Sequence, residues 1–151
     1  VKIISNDGIE ITARDLVYNK QKLILKINGN VKIIDKKNKI ISSGEEFVYY
    51  KNDEKIISKG LSKTKINNNY FLESENLIYD RSSSNVYSED KSKIEDLNNN
   101  IFFAEKFKLN TDTSILKAKN LSLFDSTKNE YFLNFSVPGN GYFSFIWYWK
   151  N

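Results

Sequence analysis

Apolar and polar residues alternate along most of the chain with a period of two, and the alternation loses phase at regular intervals. Ile9, Ile11 and Ala13 share one face, and Leu16 and Tyr18 resume it after a one-residue slip. Leu23, Leu25 and Ile27 share a face again, as do Val31 and Ile33 beyond Gly29. Alternation of this kind marks β-strands with one buried side, and no run shows the spacing of an amphipathic helix. The slips at Ala13/Arg14 and at Gly29 predict bulges or bends, at which a strand turns while keeping the same face inward.

The pattern repeats. Ala13-Arg14-Asp15-Leu16-Val17-Tyr18 runs small, polar, polar, apolar, any, ring. The same order returns 31 residues later at Gly44-Glu45-Glu46-Phe47-Val48-Tyr49, 30 further on at Ser74-Glu75-Asn76-Leu77-Ile78-Tyr79, and 30 beyond that at Ala104-Glu105-Lys106-Phe107-Lys108-Leu109. A second marker keeps the same step, with Gly29, Gly60, Asp90 and Asn120 each 11 residues after the ring position. A period near 30 also suits helical solenoids, but the alternation inside each unit selects strands. Asn-, Asp- and Ser-rich turns punctuate the runs, among them Asn6-Asp7-Gly8, Asn67-Asn68-Asn69 and Asn98-Asn99-Asn100. The expected fold is all-β: a stacked antiparallel roll of about four two-strand repeats over residues 1–137, with an open sheet edge at each end.

Composition changes this picture by exclusion. With 151 residues, 40% of them hydrophobic, the chain is expected to form one domain able to bury a core. It has no Cys and no His, so disulfides, thiolate metal sites and the usual neutral-pH proton shuttle are absent, and no cofactor or metal is expected. No stretch approaches the roughly 20 apolar residues of a membrane helix. Twenty Asn and many Lys read as the coding habit of an AT-rich genome.

A net charge of +4 favours anionic partners, and Lys59, Lys63 and Lys65 form the densest basic stripe, expected on a solvent face. Nucleic acid is not expected, because Tyr18, Tyr49 and Tyr79 fall on the inner face, where they cannot stack bases. The adjacent carboxylates Glu45/Glu46 and Glu89/Asp90 sit beside bends, so no enzyme is expected. A carbohydrate-binding or carbohydrate-processing β-repeat protein is the alternative.

The cadence from Ala13 to Ile33, echoed at Gly44 to Gly60 and Ser74 to Arg81, resembles the OstA-like β-jellyroll of the lipopolysaccharide transport proteins, found in LptA, LptC and the N-terminal part of LptD. The resemblance covers about residues 8–135. It is nearest to the LptD N-terminal region, because Leu116 to Asp125 and Asn129 to Phe135 continue the roll. It implies a V-shaped roll whose interior takes the acyl chains of lipopolysaccharide in the periplasm, on the way to the outer membrane of a Gram-negative bacterium. The implied partners are lipopolysaccharide and further rolls, joined head to tail through edge strands such as Val1 to Ile4. By alternation the lining would be Ile11, Leu16, Tyr18, Leu25, Ile27, Val31, Ile33, Phe47, Tyr49, Ile56, Leu72, Leu77, Tyr79, Phe102, Phe107, Leu109 and Leu116, joined by Ala13, Ile40, Val86 and Ala104. Val1 begins within a strand pattern, with no signal peptide in this chain.

Residues 138–151 break the pattern at Pro138, Gly139 and Gly141, and then alternate Phe143, Phe145, Trp147 and Trp149. They are expected to be a separate aromatic tail: either the first strand of a barrel, since such strands need only about 9 to 11 residues, or a truncation artefact.

Overall fold

In the computed structural model, which describes residues 1–125, 127, 130–133 and 146–148, strand register shifts in the middle of the longest pair. β4 (Ile24–Asp35) and β5 (Ile40–Tyr50) pair antiparallel along their length, except that Asn28 faces Glu46 and the next partners are Val31 and Gly44. The two residues between, Gly29 and Asn30, both have positive φ. The sheet folds over on itself there, and every other long strand is cut in two at the same line.

One arm holds β1 (Lys2–Ile4), β2 (Ile9–Thr12), the second half of β4 and the first half of β5. It continues through β7 (Leu61–Ile66), β8 (Tyr70–Glu75), β11 (Ser92–Asp96), β12 (Ile101–Ala104), β15 (Leu121–Phe124) and β16 (Glu130–Leu133), each antiparallel to the next. The other arm holds β3 (Asp15–Asn19), the remaining halves of β4 and β5, β6 (Lys55–Ser58), β9 (Ile78–Asp80) and β10 (Asn85–Ser88). It ends with β13 (Lys106–Asn110), β14 (Ile115–Lys119) and β17 (Ile146–Tyr148). The fold is the all-β roll that the alternation predicts, and the described residues contain no helix.

Both sequence markers lie on the one bend. Arg14 N–H donates to Gly29 O (2.9 Å), Lys59 N–H to Glu46 O (2.8 Å), Asn76 N–H to Gly60 O (3.1 Å) and Glu105 N–H to Lys119 O (3.1 Å), so these bonds carry the hydrogen-bond ladder around the corner. At Gly29, φ is 84° and an added Cβ would lie 2.6 Å from Cβ of Arg14, so the backbone angle and the close approach both demand glycine. Asn76 and Asn120 do the same turning at φ 49° and 50°, which asparagine tolerates.

The small residue that opens each motif has a packing cause. Gly44, Ser62, Ser74, Ser92 and Ala104 form one cross-strand row on the inner side of the apex. An added Cβ at Gly44 would meet the Phe47 ring and Leu61 O at 3.1 Å, so nothing large fits. Ser74 and Ser92 hydroxyls hydrogen-bond at 2.7 Å, as do Ser42 and Thr64 one position deeper, which satisfies polar groups buried in an apolar interior. The turns at the far ends use positive φ at Leu23, Lys39, Glu54, Asn68, Ser84, Asn99 and Ser114. Leu23, which alternation assigns to a strand, is instead the last residue of its turn.

Three tail residues, Ile146–Tyr148, form β17 and pair with β14 in the register Ile115 to Tyr148, Leu116 to Trp147 and Lys117 to Ile146. The other residues of the aromatic tail lie outside the described residues.

Candidate functional site

The inner faces of the two arms meet in a single apolar cluster running from Ile9 to Leu123. Of the predicted lining, Ile11, Leu25, Ile27, Val31, Ile33, Phe47, Tyr49, Ile56, Leu72, Leu77, Tyr79, Phe102, Phe107, Leu109 and Leu116 are buried, as are Ala13, Ile40, Val86 and Ala104. The predicted lining left out Ile9, although alternation places it on the face of Ile11, and also Ile66, Tyr70, Ile94, Ala118, Leu121 and Leu123, which extend the same rows. The ring position stacks across the second arm as Tyr18, Leu25, Tyr49, Ile56, Tyr79, Val86, Leu109 and Leu116, one residue per strand.

Two residues depart from the expectation. Leu16 is half-buried, and Tyr18 is 41% exposed although it stands in the inward row. The cause is position: among the described strands β3 pairs with β4 alone, which leaves the ring half open, and the Lys51 ammonium lies 5.4 Å from its centroid.

That uncovered end is a mouth. A cavity of about 360 Å³ opens there, lined by Ile3, Ile4, Ser5, Ile9, Ile11, Leu16, Tyr18, Leu25, Tyr49 and Lys51. Its size falls in the range of small-molecule pockets. The next interior space, between Ile33, Phe47, Leu77 and Tyr79, holds about 10 Å³, too little for more than a single water. Among the described residues the interior is thus tightly packed between Ile33, Phe47, Leu77 and Tyr79 and open at the β1–β3 end.

A polar latch closes the free side of the V just behind the mouth. Arg81, from the β9–β10 turn of one arm, donates to Asp35 at the end of β4 (3.0 Å) and to Asp7 in the β1–β2 turn (2.6 Å) of the other. Tyr79 donates to Asp35 (2.9 Å) and Tyr49 to Asp7 (3.3 Å), so two ring positions carry their hydroxyls across the gap. Asn38 completes Asp35 with a backbone and a side-chain donor, and Ser5 donates to Asp7. Burial disfavours the Asp35 carboxylate, but hydrogen bonds from Asn38, Tyr79 and Arg81 outweigh it and hold its carboxyl below the usual range. Burial and the Asp35 charge push the Tyr79 phenol well above its ordinary value. Farther along, Tyr70 repeats the crossing with a 3.3 Å bond to Ser114. Sequence reading did not find these pairs, because nothing local couples residues 7, 35 and 81.

The carboxylates considered for chemistry serve the bend. Glu45 accepts from Asn30 N–H (3.3 Å), Asp90 accepts from the Asn76 amide (3.1 Å), and Glu89 pairs with Lys106 (3.1 Å). No group of three or more acidic residues able to hold a metal occurs among the described residues. The arrangement can enclose an apolar chain end beside a cationic rim at Lys51.

No protein-family model matches the chain, and no curated protein matches it. Among solved structures it is similar to LptH of Pseudomonas aeruginosa, the LptA-homologous periplasmic component of the lipopolysaccharide transport device. The TM-score is 0.69 at 15% identity, over 84% of this chain and 94% of that one. The TCP domain of SAS-4 from Drosophila melanogaster, at a TM-score of 0.25 and 12% identity over 89% of this chain and 88% of that one, superposes too loosely to bear on the fold. The LptH likeness establishes an LptA-like β-jellyroll.

Proposed function

We propose that this chain is a lipopolysaccharide-transport roll that works in the periplasm and shields acyl chains in its interior, receiving them through the β1–β3 mouth. The observation that carries the reading is the apolar cavity of about 360 Å³ that continues into the buried cluster on a jellyroll of the LptH kind. Acyl chains gain roughly 0.8 kcal/mol per buried methylene, so an apolar pocket with a single cation at its rim suits them better than a sugar, which needs convergent polar groups. Loading beyond the mouth requires the packed middle to part, and the Arg81 latch stands where the two arms would separate.

Among the described strands β1 pairs with β2 alone and β3 with β4 alone, so a second roll can add its own edge strand there and continue the inner rows. An outer-membrane role, as the N-terminal region of LptD with residues 138–151 leading to a barrel, is the finer form of the same reading.

Photo-crosslinkers at Leu25, Phe47, Leu77 and Phe107 test it, with the outward positions Lys32 and Lys63 as controls. Lipid A captured at Leu25 above both controls supports the reading; capture equal to the controls refutes an interior route. Lipid captured at Leu25 alone restricts occupancy to the mouth.

A further inference from the structure

On the outer face of the second arm, β13 and β14 set lysine against lysine. Lys106 lies opposite Lys119 and Lys108 opposite Lys117 in the antiparallel register. Directly opposite residues have Cβ atoms about 4.5–5.5 Å apart, and like charges so placed repel. Elsewhere the described strands follow the opposite rule. Lys63 and Lys93 both face Glu73, and Lys55 faces Asp80. Among the described strands the lysine square is thus the place where like charges stand directly opposite each other.

Its surroundings are built for an anion more than for bare solvent. The Glu89 carboxylate lies 3.1 Å from Lys106, at one corner of the group. The Lys108 ammonium lies 5.9 Å from the centroid of the Tyr87 ring on the neighbouring strand β10. A mainly polar depression of about 290 Å³ runs alongside, lined by Asn85, Lys108, Asn110, Thr113, Ile115 and Lys117. Asn110 fixes that floor: its amide donates to Asn85 Oδ1 (3.1 Å) while its carbonyl oxygen accepts from Thr113 N–H (2.9 Å) and Oγ1 (3.1 Å).

We propose that Lys108 and Lys117, supported by Lys106 and Lys119, form a binding site for a phosphate group on the outer face of the roll. A tetrahedral phosphate offers several acceptor oxygens to ammonium groups arriving from two strands, and its charge removes the repulsion that the register imposes. The site lies on the side of the sheet away from the apolar interior, so it neither needs nor tests the acyl-chain reading. Inorganic phosphate and a phosphodiester lipid headgroup present the same chemistry.

The test is a titration of the isotope-labelled full chain with inorganic phosphate, following amide resonances of residues 106–119, with sodium chloride at equal ionic strength as the blank. Expected are saturable shifts with phosphate only. They should weaken about tenfold or more in Lys108→Gln/Lys117→Gln, the loss of roughly 1.4 kcal/mol or more, and persist in Lys63→Gln/Lys93→Gln. Lys117→Glu should raise the melting temperature in low salt without any phosphate, because it replaces a like pair with an opposite one. Flotation with phosphatidylcholine vesicles, with and without phosphatidylglycerol, separates the sources: retention by the anionic vesicles alone assigns a lipid headgroup, and no retention beside saturable phosphate binding assigns free phosphate. Shifts equal in chloride and phosphate, or undiminished in the Lys108/Lys117 variant, would overturn the site.

Discussion

The guanidinium of Arg81 lies 3.0 Å from the carboxylate of Asp35, 46 positions away in the chain, with the two arms of the roll meeting at the contact. Asp35 is 1% exposed and the Arg81 side chain 8%, so the pair is shielded from the screening that weakens surface ion pairs. Removing one partner leaves the other charged and buried.

Arg81→Leu is therefore expected to destabilise by about 3–5 kcal/mol, whereas Lys36→Leu, at a side chain 75% exposed beside Glu10, should cost far less. Urea unfolding of both variants reads the difference. Equal losses would show that the latch contributes nothing special.

Acid should loosen the latch. The Asp35 carboxyl is held below its ordinary value, so its contribution is complete above the unfolded aspartate range of about 3.9 and is lost as pH falls through the folded value. The wild type should lose more stability between pH 7 and pH 3 than Asp35→Asn does, measured by urea midpoints at both pH values. Parallel losses in the two proteins would contradict this.

The bend makes a graded prediction. Gly29→Ala meets both a positive φ and a 2.6 Å clash with Arg14, while Gly60→Ala at φ 82° meets only the φ penalty in open space. Gly60→Ala should cost about 1–2 kcal/mol and Gly29→Ala clearly more. Thermal denaturation of the two variants checks the order.

Much of this architecture was legible in the chain, and the reasons are specific. The phase slips at Ala13/Arg14 and Gly29 are the bend itself, and the step of 30 between motifs counts two strands per repeat, because each arm contributes one half. Alternation could not tell that Tyr18 would be half exposed, since burial in that row depends on a neighbouring strand and β3 has none on its outer side among the described residues. It also marked Lys59, Lys63 and Lys65 as the basic stripe, although Glu73 faces Lys63 across the strands. The denser group at Lys106, Lys108, Lys117 and Lys119 is divided by a turn, and only the register brings it together.

Inside the apex, the hydroxyls of Ser42 and Thr64 satisfy each other at 2.7 Å in a buried site. Ser42→Ala strands the threonine and should cost about 1–3 kcal/mol, while Ser42→Ala/Thr64→Val should recover much of that loss. A double-mutant cycle measures the coupling; strictly additive losses would mean that the bond is not the reason for the pair.

The most direct measurement of the central claim is a set of intermolecular nuclear Overhauser effects between side-chain methyl groups and detergent-solubilised lipopolysaccharide. Acyl-chain protons should contact the methyls of Ile11, Leu16 and Leu25 at the mouth and leave Leu61, 58% exposed on the outside, without a cross-peak. Contacts at Leu61 with none at Leu16 and Leu25 would contradict an acyl-chain route through the interior of the roll.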